Sequence, residues 1–404
     1  MQSRARLLVA LLVAALLAPA AASARALTLQ QRLAKALHVS HVSLADAGAT
    51  VVDLETGETV FSHNAGLSLV PASNEKLAVT YAALTALGPA FRIETDVLGS
   101  GIQQGTTWRG DLYLKGYGDP TLSNADLASL ARQVAADGIR RVSGRLLGDE
   151  SWFDTRRTAL GWKASYYLTE SPPLSALIVN RGWTGHRTST QPALAATQLF
   201  RKALAHAGVT VTGKTGLGAA PDEAEPLADV ESATVAALLR RMDRVSDNFY
   251  AEMLLKQLGA VQGARGSTAG GVGVVTGLLA EAGVPLAGVR MADGSGLSLF
   301  DRWTPTALVT LLRAMWDDPG VRPELLASLP VAGRTGTLHN RMRTGPARGL
   351  VRAKTGTTSR ASALSGFVGD RYAFSVLENG FPVSWTYARR SQDRFATVLA
   401  SVVR

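Results

Sequence analysis

Alternating and four-residue apolar spacings predict the elements near the beginning of the chain. Leucines four apart over residues 29–37 indicate a short amphipathic helix. Residues 49–54 and 58–61 flank Gly57, and this arrangement is typical of a β-hairpin with a glycine at its turn. The chain is therefore expected to open with a helix and two paired strands.

A further apolar pattern follows Pro71 and brings a serine to a helix start. Apolar residues continue from Leu77 to Leu87, and Gly88-Pro89 is expected to end the helix. Ser73 is then expected in the first turn of a buried helix.

The pattern changes between about residues 91 and 227, where short alternating segments are broken by Gly, Pro, Asp and Asn. Helical stretches are expected there near 124–137 and 192–207. This region predicts a separate α+β unit whose two ends return to the same domain.

Helical patterns resume after Val230, and strands followed by a helix close the chain. The expected helices are 235–242, 249–258, 268–282 and 306–316, the last with Thr304 as cap and Pro305 at its first position; the expected strands are 349–354, 361–368 and 373–377, and the closing helix is 386–402. The fold class is thus α+β, with an antiparallel five-stranded sheet flanked by helices and an inserted smaller α+β domain. Residues 27–90 and 228–404 would form the catalytic domain, and 91–227 the inserted domain.

Residues 1–26 have the three parts of a secretory signal peptide. Arg4 and Arg6 precede an apolar run over 7–17, and a small-x-small site follows at 24–26. A membrane anchor is the alternative, but the run falls short of the roughly 20 apolar residues that a spanning helix needs. Export with cleavage before Leu27 is expected, which places the protein in the periplasm or another extracytoplasmic wall space.

The amino-acid composition narrows the possible classes of site and partner. The 404 residues include no cysteine, which excludes disulfides, thiol nucleophiles and Cys-ligated zinc. The formal charge of +10 favours association with an anionic cell-wall or membrane surface. Nucleic acid is not an expected partner, because the chain has no run of five or more Lys/Arg.

Three motifs in order carry the candidate chemistry: Ser-Asn-Glu-Lys at 73–76, Ser-Asp-Asn at 246–248 and Lys-Thr-Gly-Thr at 354–357. Residues three apart on a helix share a face, so Lys76 can take the proton of Ser73 if its amine is neutral. Burial and a second cation lower the pKa of a lysine, and Lys354 is the expected second cation. Alone, Ser-x-x-Lys is usually a solvated surface pair; the other two motifs make it a catalytic prediction.

The second and third motifs would complete the site. Ser246 is expected to relay a proton toward the leaving group, and Asn248 to orient Lys76 and a substrate amide. Lys354, Thr355 and Thr357 would hold a terminal carboxylate, and Gly356 would let substrate backbone approach the strand. The N–H groups of two site residues, Ser73 and Thr357, would form the oxyanion hole.

Several similar strings are interpreted as structural or left open. Ser62-x-Asn64, Lys214-Thr-Gly and Arg334-Thr-Gly-Thr lie outside the motif order. Asp293-Gly-Ser-Gly is either a tight turn or part of the cleft. The chain has neither His-Glu-x-x-His nor Gly-x-Ser-x-Gly, which argues against zinc peptidases and Ser-His-Asp hydrolases.

The motifs resemble those of the penicillin-binding protein and serine β-lactamase superfamily. The low-molecular-mass class C branch, the D-Ala-D-Ala carboxypeptidase/endopeptidases, is the nearer resemblance, carried by the further strings at 69–77, 118–122, 148–154 and 292–298. It implies the transpeptidase-like fold, metal-free chemistry without cofactors, a seryl ester, peptidoglycan stem peptides as substrate and β-lactams as inhibitors. It also implies that Asp149 recognises a side-chain amine of the substrate. Longer members of this branch carry a further domain nested within the inserted one. The interval between Ser73 and Ser246 is shorter here, and the chain is expected to lack that nested domain around residues 183–190.

Three hypotheses remain at this point. The first is an exported serine D,D-peptidase, the second a serine β-lactamase with fast deacylation, and the third a non-enzymatic wall-binding or β-lactam-sensing protein. No deacylating base of a β-lactamase can be identified from the residues. Carboxypeptidase, endopeptidase and transpeptidase action stay open, as do the oligomeric state and the third residue of the stem peptide.

Overall fold

A computed structural model describes residues 27–263 and 265–403. Its helices are α1 (Leu29–Leu37), α2 (Lys76–Ala86), α3 (Asn124–Ala136), α4 (Pro192–His206), α5 (Val235–Val245), α6 (Asn248–Val261), α7 (Thr268–Glu281), α8 (Pro305–Asp317), α9 (Arg322–Ser328) and α10 (Trp385–Ala400). Its strands are β1 (Ala47–Asp53), β2 (Thr59–His63), β3 (Glu94–Gln104), β4 (Thr107–Gly116), β5 (Arg141–Val142), β6 (Leu146–Asp149), β7 (Trp183–Thr184), β8 (Arg187–Thr188), β9 (Thr210–Val211), β10 (Thr215–Leu217), β11 (Glu225–Glu231), β12 (Val351–Thr357), β13 (Ala361–Val368) and β14 (Tyr372–Asn379).

A five-stranded antiparallel sheet joins the two ends of the described chain, in the order β12-β13-β14-β1-β2. Successive residues of a strand face opposite sides of a sheet, and β13 is apolar on both. Ala363 and Phe367 pack in the core that contains α2 and α8, whereas Leu364 and Val368 pack in the core of α1 and α10. Helices therefore cover both faces, and the predicted five-stranded sheet is confirmed.

The strands of a second sheet all lie between residues 94 and 231, in the order β10-β6-β4-β3-β11 with β5 and β9 alongside. Helices α3 and α4 contribute to its separate apolar core, as in Leu130 and Phe200. Strand β11 continues past residue 227, where the sequence was expected to return to the first domain. The division into a catalytic and an inserted domain stays a prediction.

Local signals account for the start of several helices. Thr304 caps α8 by accepting a hydrogen bond from the N–H of Ala307 at 3.0 Å, with Pro305 at the first helical position, as predicted. Helix α9 is not in the sequence prediction, because its seven residues span too few turns to give a clear periodicity. The short pair β7 and β8 occupies the region where no nested domain was expected.

The predicted signal peptide lies outside the described residues. Within residues 27–263 and 265–403, none of the helices combines the length and the apolar character that a bilayer crossing requires.

Candidate active site

The predicted nucleophile lies in a strained turn. Residues Ala72–Glu75 form a 3₁₀ turn, and α2 begins only at Lys76, so Ser73 precedes the α-helix instead of lying in its first turn. Ala72 has a φ of 47°, in the left-handed region that costs an alanine roughly 1–2 kcal/mol. Ser73 itself is half-buried, at the surface of a buried turn.

Lys76 is fully buried and lies between three oxygen atoms. Its Nζ is 3.0 Å from Ser73 Oγ, 2.8 Å from Asn248 Oδ1 and 2.6 Å from the carbonyl oxygen of Ser295. A neutral amine has two N–H donors and one lone pair. The two fixed acceptors can take the donors, which leaves the lone pair for the hydroxyl proton of Ser73.

Burial lowers the pKa of Lys76 to about 8, and the charges of Asp293 and Glu252 oppose that shift. Burial and a second cation, Lys354, were expected from the sequence to lower this pKa; in the structure, removal from water is the leading cause. The neutral amine is accordingly accessible near neutral pH.

The Ser-Asp-Asn motif occupies the junction between two helices. Ser246 has a left-handed conformation (φ 59°) directly after α5, and Asp247 caps α6 by accepting from the N–H of Tyr250 at 3.4 Å. Arg181 holds the capping carboxylate at 2.7 Å. Asn248 is thereby turned inward, with its amide nitrogen donating to the carbonyl oxygen of Glu170 at 3.1 Å.

Lys354 is fully buried on β12 and connects the third motif to the second. Its Nζ donates to Ser246 Oγ and to the carbonyl oxygen of Thr355, each at 2.9 Å. Burial and, after it, the Lys76 charge lower the pKa of Lys354 to about 7, and the Asp243 charge opposes the shift. The buried charge of Lys76 thus disfavours the charged form of Lys354.

Strand β12 packs directly against the nucleophile turn. A Cβ at Gly356 would lie 2.8 Å from the carbonyl oxygen of Pro71 and 3.1 Å from the Ser73 nitrogen. Gly356 was expected to make room for substrate; the structure shows that the Ser73 turn itself requires this room. Asn74 reinforces the contact by donating to the Lys354 carbonyl oxygen at 3.1 Å.

The Asp293-Gly-Ser-Gly string belongs to the site. Besides the Ser295 carbonyl at Lys76, Gly296 (φ 79°) approaches the nucleophile turn so closely that a Cβ would lie 1.9 Å from the Ala72 oxygen. Buried Glu252 Oε1 accepts from the N–H groups of Gly294 at 3.0 Å and Ser295 at 2.8 Å, which fixes the carbonyl. Sequence reasoning left this loop open and missed Glu252, which gives no signal in an apolar helix.

Buried acids surround the lysine. Burial raises the pKa of Glu252 to about 8 and raises that of Glu75 well above its usual range. The pKa of Asp301, which lies beside Asp293, is raised for the same reason. Glu252 is therefore largely protonated at pH 7, which limits the negative charge that it places beside Lys76.

Residues 161–181 form one side of the site. Trp162 Nε1 donates to Asp293 Oδ2 at 2.8 Å, and Lys163 Nζ donates to Ser359 Oγ at 2.7 Å, just past the end of β12. With Glu170 and Arg181, they connect the segment between the first two motifs to all three parts of the site.

Thr355 and Thr357 differ in their surroundings. Thr355 Oγ1 donates to Thr337 Oγ1 at 2.7 Å, so the Arg334-Thr-Gly-Thr string, interpreted as structural, abuts the site. Thr357 is exposed, and Arg389 Nη2 lies 3.4 Å from its Oγ1.

Asp149 is not brought to this cluster. It is buried at the end of β6, where Oδ1 accepts from the N–H of Ser151 at 2.8 Å and Oδ2 from that of Ala220 at 2.9 Å. Both contacts fix backbone that follows strands β6 and β10 of the second sheet. Of the strings interpreted as structural, Lys214-Thr-Gly lies partly on β10 of the same sheet. In the Ser62-x-Asn64 string, the Asn64 side chain donates to the carbonyl oxygens of Leu44 and Ala47.

The chain has the fold of a penicillin-binding protein. Penicillin-binding protein 4 from Haemophilus influenzae matches with a TM-score of 0.81 and 22% identity, over 91% of this chain and 98% of that protein. The same protein complexed with a β-lactam matches with a TM-score of 0.76 and 22% identity, over 93% and 99% of the two chains.

Sequence comparison identifies the family. Residues 29–190 and 182–402 match the D-Ala-D-Ala carboxypeptidase 3 (S13) family. The D-alanyl-D-alanine carboxypeptidase of Actinomadura sp. (strain R39) is 34% identical, over 89% of this chain and 82% of that protein. The chain belongs to the S13 family of serine-type D-Ala-D-Ala carboxypeptidases, and the predicted resemblance is confirmed.

Proposed function

We propose that this S13 peptidase is exported and cleaves D-Ala-D-Ala ends or peptide cross-links of peptidoglycan through an acyl-enzyme on Ser73. The single observation that carries the proposal is the environment of Lys76 Nζ, with two fixed acceptors and the Ser73 hydroxyl around it. A buried amine so arranged is a general base for that hydroxyl.

The first half-reaction forms the ester. Lys76 takes the Ser73 proton as Oγ attacks the carbonyl carbon before the terminal D-alanine, and the backbone N–H groups of Ser73 and Thr357 bind the oxyanion. The tetrahedral intermediate expels the D-alanine amine when the C–N bond breaks. Ser246, hydrogen-bonded to Lys354, delivers a proton to that amine, and the proton held by Lys76 restores the relay.

The second half-reaction releases the product. A water molecule loses a proton to the neutral amine of Lys76 and adds to the ester carbonyl, again within the oxyanion hole. Collapse breaks the bond to Ser73 Oγ, which regains a proton from Lys76. An amine as acceptor would give transpeptidation by the same steps.

The carboxylate of the substrate is proposed to lie at the end of β12. Lys354, Thr355 and Thr357 supply a positive charge and two hydroxyl groups along one strand edge. Asn248 would hold the substrate amide while its side-chain oxygen keeps Lys76 in place. Asp149, if it serves recognition, acts through the backbone of the second sheet that its carboxylate holds.

Three further elements of the proposal concern location, inhibitors and domains. Residues 1–26 would direct export to the periplasm or another extracytoplasmic wall space, and the basic surface would favour anionic wall or membrane components. β-Lactams would acylate Ser73, which the complex of the Haemophilus influenzae relative with a β-lactam supports. Residues 27–90 and 228–404 would form the catalytic domain, with 91–227 inserted.

The test is intact-protein mass spectrometry after incubation with benzylpenicillin. The wild type should gain one covalent adduct on the Ser73 peptide, and Ser73→Ala should gain none. Ser62→Ala, at the exposed serine of the other Ser-x-Asn string, is the matched control and should still be labelled. An adduct that persists in Ser73→Ala would refute the assignment, and rapid release of hydrolysed penicillin with no D-alanine released from muropeptides would instead favour a β-lactamase.

A further inference from the structure

A basic groove lies beside the proposed active site. It has a volume of about 1080 Å³ between α1, α10 and the loop around Met342. Seven cationic side chains line it, against Asp393 as the one carboxylate among its described lining residues: Arg32, Lys35, Arg341, Arg343, Arg389, Arg390 and Arg394.

The positive charge of the groove is largely uncompensated. Asp393 is engaged by Arg341 at 2.7 Å. Lys35, Arg343 and Arg394 have no side-chain hydrogen bond or ion pair with any residue of the described ranges. Six of the seven cations are arginines, whose planar guanidinium matches a carboxylate in a two-pronged contact. An anionic ligand would relieve this repulsion between like charges.

The groove adjoins the residue proposed to hold the substrate carboxylate. Arg389 lines the groove and also contacts Thr357 Oγ1 at the exposed end of β12. Burial and the nearby Arg341 charge lower the pKa of Arg389, which reflects the crowding of cations at this junction. A polymer whose end occupies the Ser73 cleft can therefore continue into the groove.

We infer that this groove binds a second acidic peptide segment of the polymer whose D-Ala-D-Ala end occupies the Ser73 site. The inference rests on the proposed function. A peptide of the same polymer is the favoured occupant because Arg389 connects the groove to Thr357, where the terminal carboxylate of the substrate is proposed to lie. Ala36, Met342 and Val398 contribute apolar contacts for the aliphatic parts of such a peptide.

The test compares a short and a polymeric substrate. The groove variant combines Arg343→Glu with Arg394→Glu, two exposed side chains without partners in the described residues. The control combines Arg109→Glu with Arg132→Glu, equally exposed and unpaired there, on β4 and α3, with the same change in net charge. Each protein is assayed on a short acyl-D-Ala-D-Ala peptide and on peptidoglycan stripped of phosphate polymers.

The groove variant should raise KM for the stripped peptidoglycan by about tenfold, with kcat unchanged. The short peptide, which ends before the groove, should be cleaved as by the wild type, and the control variant should behave as the wild type on both substrates. Equal KM values for the groove and control variants on the stripped polymer would overturn the inference, as would an effect seen only on walls that keep their phosphate polymers. If the wild type releases no D-alanine from the short peptide, the proposed function itself fails; binding of the Ser73→Ala protein to the polymer then tests the groove separately.

Discussion

Gly296→Ala should disable the nucleophile without touching any group that reacts. Gly296 has a φ of 79°, a conformation that costs an alanine roughly 1–2 kcal/mol. Its added Cβ would lie 1.9 Å from the carbonyl oxygen of Ala72 and 3.0 Å from the Ser73 nitrogen. Because an ordinary contact is about 3.5 Å, the turn that carries Ser73 must move by about 1 Å or more.

Two magnitudes follow from this displacement. Backbone strain and overpacking together should lower the free energy of unfolding by about 2–4 kcal/mol. Displacement of a reacting group by about 1 Å costs on the order of 100-fold in rate. We therefore expect the acylation rate constant of folded Gly296→Ala with a fluorescent penicillin to fall by about two orders of magnitude.

Gly277→Ala is the matched control. Gly277 lies on α7, and a Cβ there would meet nothing within 4 Å. Alanine is the better helix former by about 1 kcal/mol, so this variant should be slightly more stable and acylate normally. Stopped-flow acylation and urea unfolding measure the two effects. Wild-type acylation by Gly296→Ala would show that the loop does not position Ser73.

Three other predictions concern charged groups. Lys76 acts as a base only when it is neutral, and its pKa is about 8, so the acylation rate should rise with pH and reach about a tenth of its limiting value at pH 7. A rate independent of pH between 6 and 9 would contradict the role of this amine. The raised pKa of Glu252 makes it largely protonated at pH 7, so Glu252→Gln should keep most of the activity in a D-alanine release assay. Glu252→Leu removes the hydrogen bond to the Ser295 N–H and should lose this activity. Equal activities of the two variants would argue against the role of this contact. Asp149→Asn should lower the free energy of unfolding in urea by about 1–3 kcal/mol, because both carboxylate oxygens of Asp149 accept hydrogen bonds from backbone N–H groups. The KM for muropeptides should not change. A raised KM at unchanged stability would instead support a role of Asp149 in substrate recognition.

The five-stranded sheet could be predicted because its strands have strong local signals. The apolar residues of β13 give a continuous pattern, and its predicted bounds coincide with the observed strand. Likewise, the spacing of Ser73 and Lys76 restricts where the two side chains can lie. The structure adds the 3₁₀ turn between them, which depends on contacts with Gly296 and Gly356 from distant parts of the chain.

The electrostatics of the site could not be predicted from motif spacing. Glu252 belongs to an apolar helix, and only the packing of α6 against the loop at Gly294 reveals its two hydrogen bonds. Similarly, Glu170 contacts Asn248 through a backbone carbonyl, which any residue type could supply. Such contacts depend on tertiary packing and leave no mark on residue type or periodicity.

The cluster controls its charge mainly through burial. A lysine whose pKa falls from 10.5 to about 8 carries an unfavourable free energy of about 3 kcal/mol in its charged form. This cost is present at pH 7 and declines as the pH rises above 8, because the unfolded chain then binds the extra proton. The same removal from water raises the pKa of Glu252, so this acid and the Lys76 amine are both closer to neutral at pH 7 than they would be in water. Nearby carboxylate charges raise the pKa of Lys76, and burial outweighs them; the burial that destabilises the fold therefore gives Ser73 its base.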